Sequence, residues 1–156
     1  LSPERKGPPP PPDPDHGRWQ GRSIARRFES PDGMIVLVGK SAADNDILSL
    51  QLGAPNDFWF HVAAESGSHV VVRNPDNLAR LPRETARFAA ALAAGYSKAR
   101  NGGRVAVHMS RCANISKPRG LPAGKVMLRG YETIEVTPLH GDDIRRSQGD
   151  ESTPLQ

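Results

Sequence analysis

Two runs decide the fold: Asp57-Phe58-Trp59-Phe60-His61-Val62 and, a few residues on, His69-Val70-Val71-Val72-Arg73. Both are short, apolar and rich in aromatic or β-branched residues, so they read as strands over 58–62 and 69–73. Alternation in the first puts Phe58, Phe60 and Val62 on one face and Trp59 and His61 on the other. Toward the N-terminus, Met34–Val38 is a continuous apolar run, which predicts a strand buried on both faces. Arg22–Phe28 reads as a mixed strand with Ile24 and Phe28 on one side. Between them Ser30-Pro31-Asp32-Gly33 has turn chemistry, because proline presets φ and glycine accepts a positive φ, so the two strands are expected to form a hairpin.

Two helices flank these strands. Ser41 is expected to N-cap a short one, with Asp44 in its favourable first turn, Ile47, Leu48 and Leu52 on its apolar side and Gly53 at its end. Pro82 opens a long one, where its missing N–H costs nothing. Thr85, Phe88, Leu92, Tyr96 and Ala99 fall on one face at helical spacing. Arg83, Arg87, Ala90, Ala94 and Lys98 fall opposite, a smooth basic face, and Gly102-Gly103 is the expected terminator. Val105–Met109 alternates as a strand, with Arg104 and His108 facing away from Val105, Val107 and Met109. Lys125–Arg129 and Tyr131–Val136 are expected to pair as a final hairpin turning at Gly130. The sum is an α+β domain: a mostly antiparallel sheet with one long and one short helix.

The ends differ from the middle. Residues 1–17 hold seven prolines and read as an extended, disordered Pro-rich tail. Residues 140–156 are polar, lack apolar periodicity and are expected to be a disordered tail. The core between them, 18–139, carries 17 basic and 10 acidic residues, net +7, although the whole chain is only +4. A core this basic suggests an anionic partner. The single cysteine excludes an internal disulfide and a four-cysteine zinc site. No apolar run approaches the roughly 20 residues that cross a bilayer, and the N-terminus has no secretory h-region. The expectation is a soluble, cytoplasmic protein with no membrane partner.

Each polar motif has a structural and a functional reading. Lys40, Asn45 and Asp46 follow a buried strand near a helix start: they either cap and satisfy turns or grip a phosphate or a base. Asp57, Trp59 and His61 alternate with apolar residues. Trp59 either fills the second layer of the sheet, with His61 bonded to Asp57, or stacks on an unpaired base. We expect it to be partly exposed beside a basic surface. Gly67-Ser68-His69 is either a tight turn or a phosphate cradle. Lys117-Pro118-Arg119-Gly120 suits contact with a phosphate backbone, or is a solvated loop. Arg83 and Arg87 lie near a helix N-terminus, where cations are mildly unfavourable, and that local cost hints at another use. His61, His69 and His108 with Asp46 and Asp57 raise a hydrolase reading, but no His-x3-His or paired cysteine spacing supports a metal, and Cys112 has no placed partner.

The ordered motifs resemble the NFACT RNA-binding (NFACT-R) domain family over about residues 22–138. The matching pieces are Val38-Gly39-Lys40, Asn45-Asp46 with Leu48, Asp57-Phe58-Trp59-Phe60-His61, and Gly67-Ser68-His69-Val70-Val71. Then come Ala89 to Ala99 with Tyr96-Ser97, Val105–Met109, and Lys117-Pro118-Arg119-Gly120 with Gly124-Lys125-Val126. The family often has Arg where this chain has Lys40, which keeps the charge without the planar fork. In long relatives this domain is the C-terminal part of proteins acting on obstructed large ribosomal subunits, where tRNA directs tailing of the nascent chain. The chain looks like a stand-alone member, and tailing is not carried over with the resemblance.

The resemblance implies a non-enzymatic module binding RNA, either tRNA or rRNA, in translation or ribosome quality control, with the large ribosomal subunit as a further partner. No cofactor, metal or catalytic residue is implied. The expected RNA-binding residues are Lys40, Asn45, Asp46, Asp57, Trp59, His61, Ser68, His69, Arg83, Arg87, Lys98, Lys117, Arg119 and Lys125. The rivals are a metal-dependent RNA-processing hydrolase using Asp/His groups and a ribosome-associated protein-interaction module.

Overall fold

The chain enters the domain through a 3-10 turn, Asp13–His16, and a short antiparallel pair, Arg18–Trp19 (β1) with Arg22–Ser23 (β2). The computed structural model describes residues 13–141 and 144. Most of both expected tails therefore lies outside the described residues. The expected hairpin forms next: Ala25–Glu29 (β3) pairs antiparallel with Ile35–Gly39 (β4), and Gly33 turns it at φ 82°. The strand expected from Arg22 is broken at Ile24, whose N–H donates to Gly17 O at 2.8 Å. That break changes parity, so Ile24 and Phe28 face opposite sides of the sheet rather than one.

After β4 come Ala42–Ile47 (α1) and a π-helical turn, Leu48–Leu52, that continues it. Ser41 caps α1 as expected, its Oγ accepting the Asp44 N–H at 3.1 Å. Phe58–Val62 (β5) and Val70–Val72 (β6) follow, then Arg83–Gly95 (α2) and Val105–Arg111 (β7). Ile115–Ser116 (β8), Met127–Leu128 (β9) and Glu132–Val136 (β10) complete the list. Six strands make one wholly antiparallel sheet in the order β10-β7-β5-β6-β4-β3. The architecture is α+β.

The sheet is buried on both faces. Phe28, Val36, Val38, Phe60, Val70, Val72 and Val107 meet α2 on one side. Leu37, Trp59 and Val71, cross-strand neighbours, meet Leu48, Leu52, Cys112 and Ile115 on the other. This two-sided burial explains why β4 and β6 read as unbroken apolar runs.

Three sequence expectations are corrected. The long helix ends at Gly95, not at Gly102-Gly103, because residues 96–98 bond to the 66–68 loop instead: Ser68 N–H donates to Tyr96 O at 3.0 Å and Lys98 N–H to Ser66 O at 2.9 Å. Its supposed smooth outer face is not one, since Ala90 and Ala94 are fully buried and only its N-terminal turns leave arginines exposed. The C-terminal segment lies across this helix. Leu139 N–H donates to Ala91 O at 3.0 Å, and any Cβ on Gly95 would sit 1.7 Å from Leu139 O. Gly141 is buried, and Ile144 packs on the same cluster. Finally, β9 and β10 form no hairpin. Gly130, at φ 91°, hands the chain from a two-stranded sheet (β8-β9) to the edge of the large one, where β10 pairs with β7.

Candidate functional site

A chain of hydrogen bonds runs beneath the sheet face opposite α2. The Trp59 indole N–H donates to Ser49 Oγ at 2.8 Å, and Ser49 Oγ lies 2.7 Å from His69 Nδ1. The other ring nitrogen of His69 is 3.1 Å from Gly124 O. A carbonyl only accepts, so His69 Nε2 carries the proton and donates to it. Nδ1 is then the acceptor of the Ser49 hydroxyl. The direction of the whole chain, Trp59 to Ser49 to His69 to Gly124, is fixed with His69 neutral. Burial, then the neighbouring His61, pushes the His69 pKa down to about 4, in agreement. The π-helical turn carries Ser49 into this position.

Asn45 and Asp46 hold the same region from α1. Asn45 Oδ1 accepts the His69 N–H at 3.1 Å. A Cβ on Gly39 would sit 1.9 Å from that same oxygen, so the glycine is required there. Asp46 accepts the Gly124 N–H at 3.2 Å on each carboxylate oxygen and pairs with Lys117 Nζ at 3.2 Å. Lys117 also donates to Lys125 O at 2.7 Å and to Pro122 O. The loop 117–125 is thus clamped at Gly124 by Asp46 from one side and His69 from the other. Asp46 orders this loop rather than capping a helix.

Above the network lies an open groove of about 1210 Å³. Lys40, Asn45, Trp59, His61, Ser68, His69, Lys98 and Lys125 line it, so eight of the fourteen expected residues converge there. Lys40, Lys98, Arg100 and Lys125 are cationic at its lining, with Glu65 the one acid. None of these four cations makes an ion pair among the described residues. Ser68 Oγ donates to Gly39 O at 2.8 Å, which shapes the turn at its edge.

Inside the groove the aromatic order is definite. His61 stacks on Trp59 with ring centres 5.9 Å apart and meets His69 edge-on at 5.2 Å. His61 is paired across the sheet with His108, whose ring is 4.0 Å from Tyr131. Burial, His108 and Lys125 lower the His61 pKa to about 4, and burial lowers that of His108 as well. At neutral pH these imidazoles are uncharged, and the His61 ring is also held by backbone hydrogen bonds to Gly67 and Val62. The groove therefore combines a cationic rim with neutral hydrogen-bonding edges.

Other expected residues lie elsewhere. Trp59 is not partly exposed: it is 2% exposed and belongs to the second core. The ring is wedged between Val71, the π-helical turn and the two histidines, so no base can lie flat on it. Asp57 is also 2% exposed and faces away from the groove. It accepts the Ala54 and Asn74 N–H groups at 2.8 Å each and pairs with Arg73 at 3.0 Å, rather than bonding His61. Arg83 and Arg87 line a second depression, and Arg119 is exposed outside both. Arg100, His108, Tyr131 and His140 were missed as groove residues. Alternation did turn His108 away from Val105, Val107 and Met109, but His61 and Tyr131 come to it only through strand pairings no local pattern reveals. Among the described residues no group of three His, Cys, Asp or Glu side chains is disposed to hold a metal ion. Cys112 is buried, and burial pushes its thiol up to about 12.

Residues 25–130 match the family described as NFACT protein RNA binding domain. The protein named Rqc2 homolog RqcH from Bacillus subtilis is 34% identical over 117 residues, 74% of this chain and 20% of that protein. Its Streptococcus suis counterpart is 40% identical over 118 residues, 75% of this chain and 21% of that one. Among solved structures, the C-terminal part of the fibronectin/fibrinogen-binding protein from Streptococcus suis superposes with a TM-score of 0.73 at 36% identity, covering 81% of this chain and 50% of that one. The chain spans about a fifth of the length of the curated relatives it matches.

Proposed function

The chain belongs to the NFACT RNA-binding domain family, and on that premise we propose that it is a non-enzymatic module gripping tRNA or rRNA during ribosome quality control. The groove is the site of contact in this reading. The observation that carries it is the pairing of a rim of unpaired cations, Lys40, Lys98, Arg100 and Lys125, with neutral imidazoles inside. The cations hold phosphates, which supplies affinity without sequence preference. His61 and His108 present neutral imidazole edges to bases, the way unpaired RNA is read. Asn45, Asp46, Trp59 and His69 act from below as positioning residues: their bonds to one another and to Gly124 fix the loop that carries Lys125. Likeness to Rqc2 homologues supports the ribosomal setting, and a cytoplasmic location follows from it. No helix among the described residues is long and apolar enough to cross a membrane.

The test is a titration of a mixed tRNA pool at several salt concentrations, with the RNA analysed afterwards for cleavage. Binding should weaken with salt, each single-strand phosphate contact adding about −0.7 to the log–log slope. Lys98→Gln/Lys125→Gln should flatten that slope, and the RNA should stay intact with or without Mg²⁺. Absent binding, a flat salt response, or metal-dependent product would overturn the reading.

A further inference from the structure

A second depression, of about 580 Å³, lies on the α2 side of the sheet. Its floor is apolar, formed where Phe58, Met109 and Ile134 meet the first core. Around it stand four arginines, Arg80, Arg83, Arg87 and Arg111, against a single acid, Glu132. Arg111 is built into the wall: its guanidinium donates to the carbonyls of Asn56, Leu78 and Ala79 and lies 4.3 Å over the Phe58 ring. Those partners are neutral, so its charge stays unbalanced. Arg80, Arg83 and Arg87 are exposed and make no ion pair among the described residues. Arg83 and Arg87 sit one turn apart near the N-terminus of α2, where a cation is mildly unfavourable for the helix itself.

The two depressions share one residue. Tyr131 lines both, just before the edge strand β10, and it is 54% exposed, with the His108 ring beside it at 4.0 Å on the groove side. Consecutive residues of β7 point to opposite faces, so His108 faces the groove and Met109 the arginine depression. A chain passing around this edge would cross from one to the other over the Tyr131 ring.

We infer that the arginine depression is a second RNA subsite: a single-stranded segment leaves the groove, stacks a base on Tyr131 and lays its following phosphates against Arg80, Arg83, Arg87 and Arg111. This rests on the proposed reading of the groove. An exposed ring backed by a second ring is the stacking surface that buried Trp59 is not. Guanidinium groups pair with phosphate oxygens in a bidentate fashion, which suits arginine rather than lysine here.

Oligoriboadenylates of roughly 4 and roughly 12 nucleotides, within the range of single-strand site sizes, separate the two subsites. They are titrated against the full chain at several salt concentrations. For the longer RNA, Arg83→Gln/Arg87→Gln should weaken binding and make the log–log slope shallower by about 1.4, two contacts at about 0.7 each. The shorter RNA, held by the groove alone, should bind that variant normally. Tyr131→Ala should cost the longer RNA roughly five- to hundredfold. If Arg83→Gln/Arg87→Gln leaves the longer RNA's slope unchanged while Lys98→Gln/Lys125→Gln weakens both lengths, the second subsite is wrong and the groove stands. An equal effect of the arginine pair on both lengths would also overturn it. If neither RNA binds the unaltered chain, the reading of the groove falls first.

Discussion

Replacing Trp59 separates packing from recognition. The side chain is 2% exposed, between Val71, the π-helical turn and two histidine rings. A buried indole removes roughly 200 Å² from water, and at about 25 cal/mol per Å² most of that is forfeited on truncation, giving about 4 kcal/mol for Trp59→Ala. The variant also leaves Ser49 Oγ without its donor, which adds about 1 kcal/mol. That sum is a large fraction of the ~5–15 kcal/mol that holds a domain folded. Trp59→Phe is the informative companion. It keeps most of the ring, loses the N–H, and should cost about 1–2 kcal/mol. Urea unfolding and tRNA affinity are measured on the same preparations, with affinity expressed per folded molecule. The expected result is a large stability loss for alanine, a modest one for phenylalanine, and affinity per folded molecule changed by less than about threefold, the share that travels through His69 to Gly124. A Trp59→Ala protein within 1 kcal/mol of the parent in stability, with RNA binding down tenfold or more, would refute the burial argument and restore the tryptophan as a stacking surface.

Acid should loosen the domain through its buried histidines. His69 has a folded pKa near 4 against about 6.5 unfolded, so the unfolded chain binds more protons between those values; stability is full above about pH 6.5 and falls as pH drops through the window, by about 2 kcal/mol from pH 7 to 5 for His69 alone. His61 adds in the same direction, so the gap between urea midpoints at pH 7 and 5 should narrow by about half in His69→Gln and keep the His61 share. Asp57→Ala should destabilise by about 2–4 kcal/mol, because it leaves the Ala54 and Asn74 N–H groups without their acceptor and takes away one of the two acid partners of Arg73, yet leave RNA affinity per folded molecule intact; thermal melts and a parallel titration check both halves.

The sheet was largely legible because its signals are local. Alternation in 58–62 and the unbroken apolar runs of β4 and β6 report burial directly, and Ser41 announces its helix by capping chemistry. What failed was set by contacts distant in sequence. The end of α2 is decided by the 66–68 loop, and the close approach at Ala91 and Gly95 by Leu139, so a helical wheel of 83–98 has no means of showing either. The site followed the same division. Lys40, His61, Ser68, Lys98 and Lys125, expected from motif and charge, line the groove. Asp46 and Asp57 bond backbone N–H groups, and such an acid looks, in sequence, like one that waits for a ligand. Tyr131 carried no signal: its neighbour His108 is brought to it by the pairing of β10 with β7.

The strand order has a kinetic consequence. β5 lies at the middle of the sheet, yet its two neighbours arrive at very different times along the chain: β6 a few residues later, and β7 only after all of α2. The pair β4-β6 encloses β5 in sequence, and β10 adds last, at the edge. Local closures come cheaply in entropy and distant ones do not. The hairpin β3-β4 and the β5-β6 pair should therefore assemble early, with α2 laid across them to shield the apolar face. The half of the sheet that holds His108 and Tyr131 would consolidate last. An edge that closes last is also the first to open in native-state hydrogen exchange. The amides of β10 should then exchange ahead of those of β5 and β6, and any RNA seated over Tyr131 would slow them by bridging the seam.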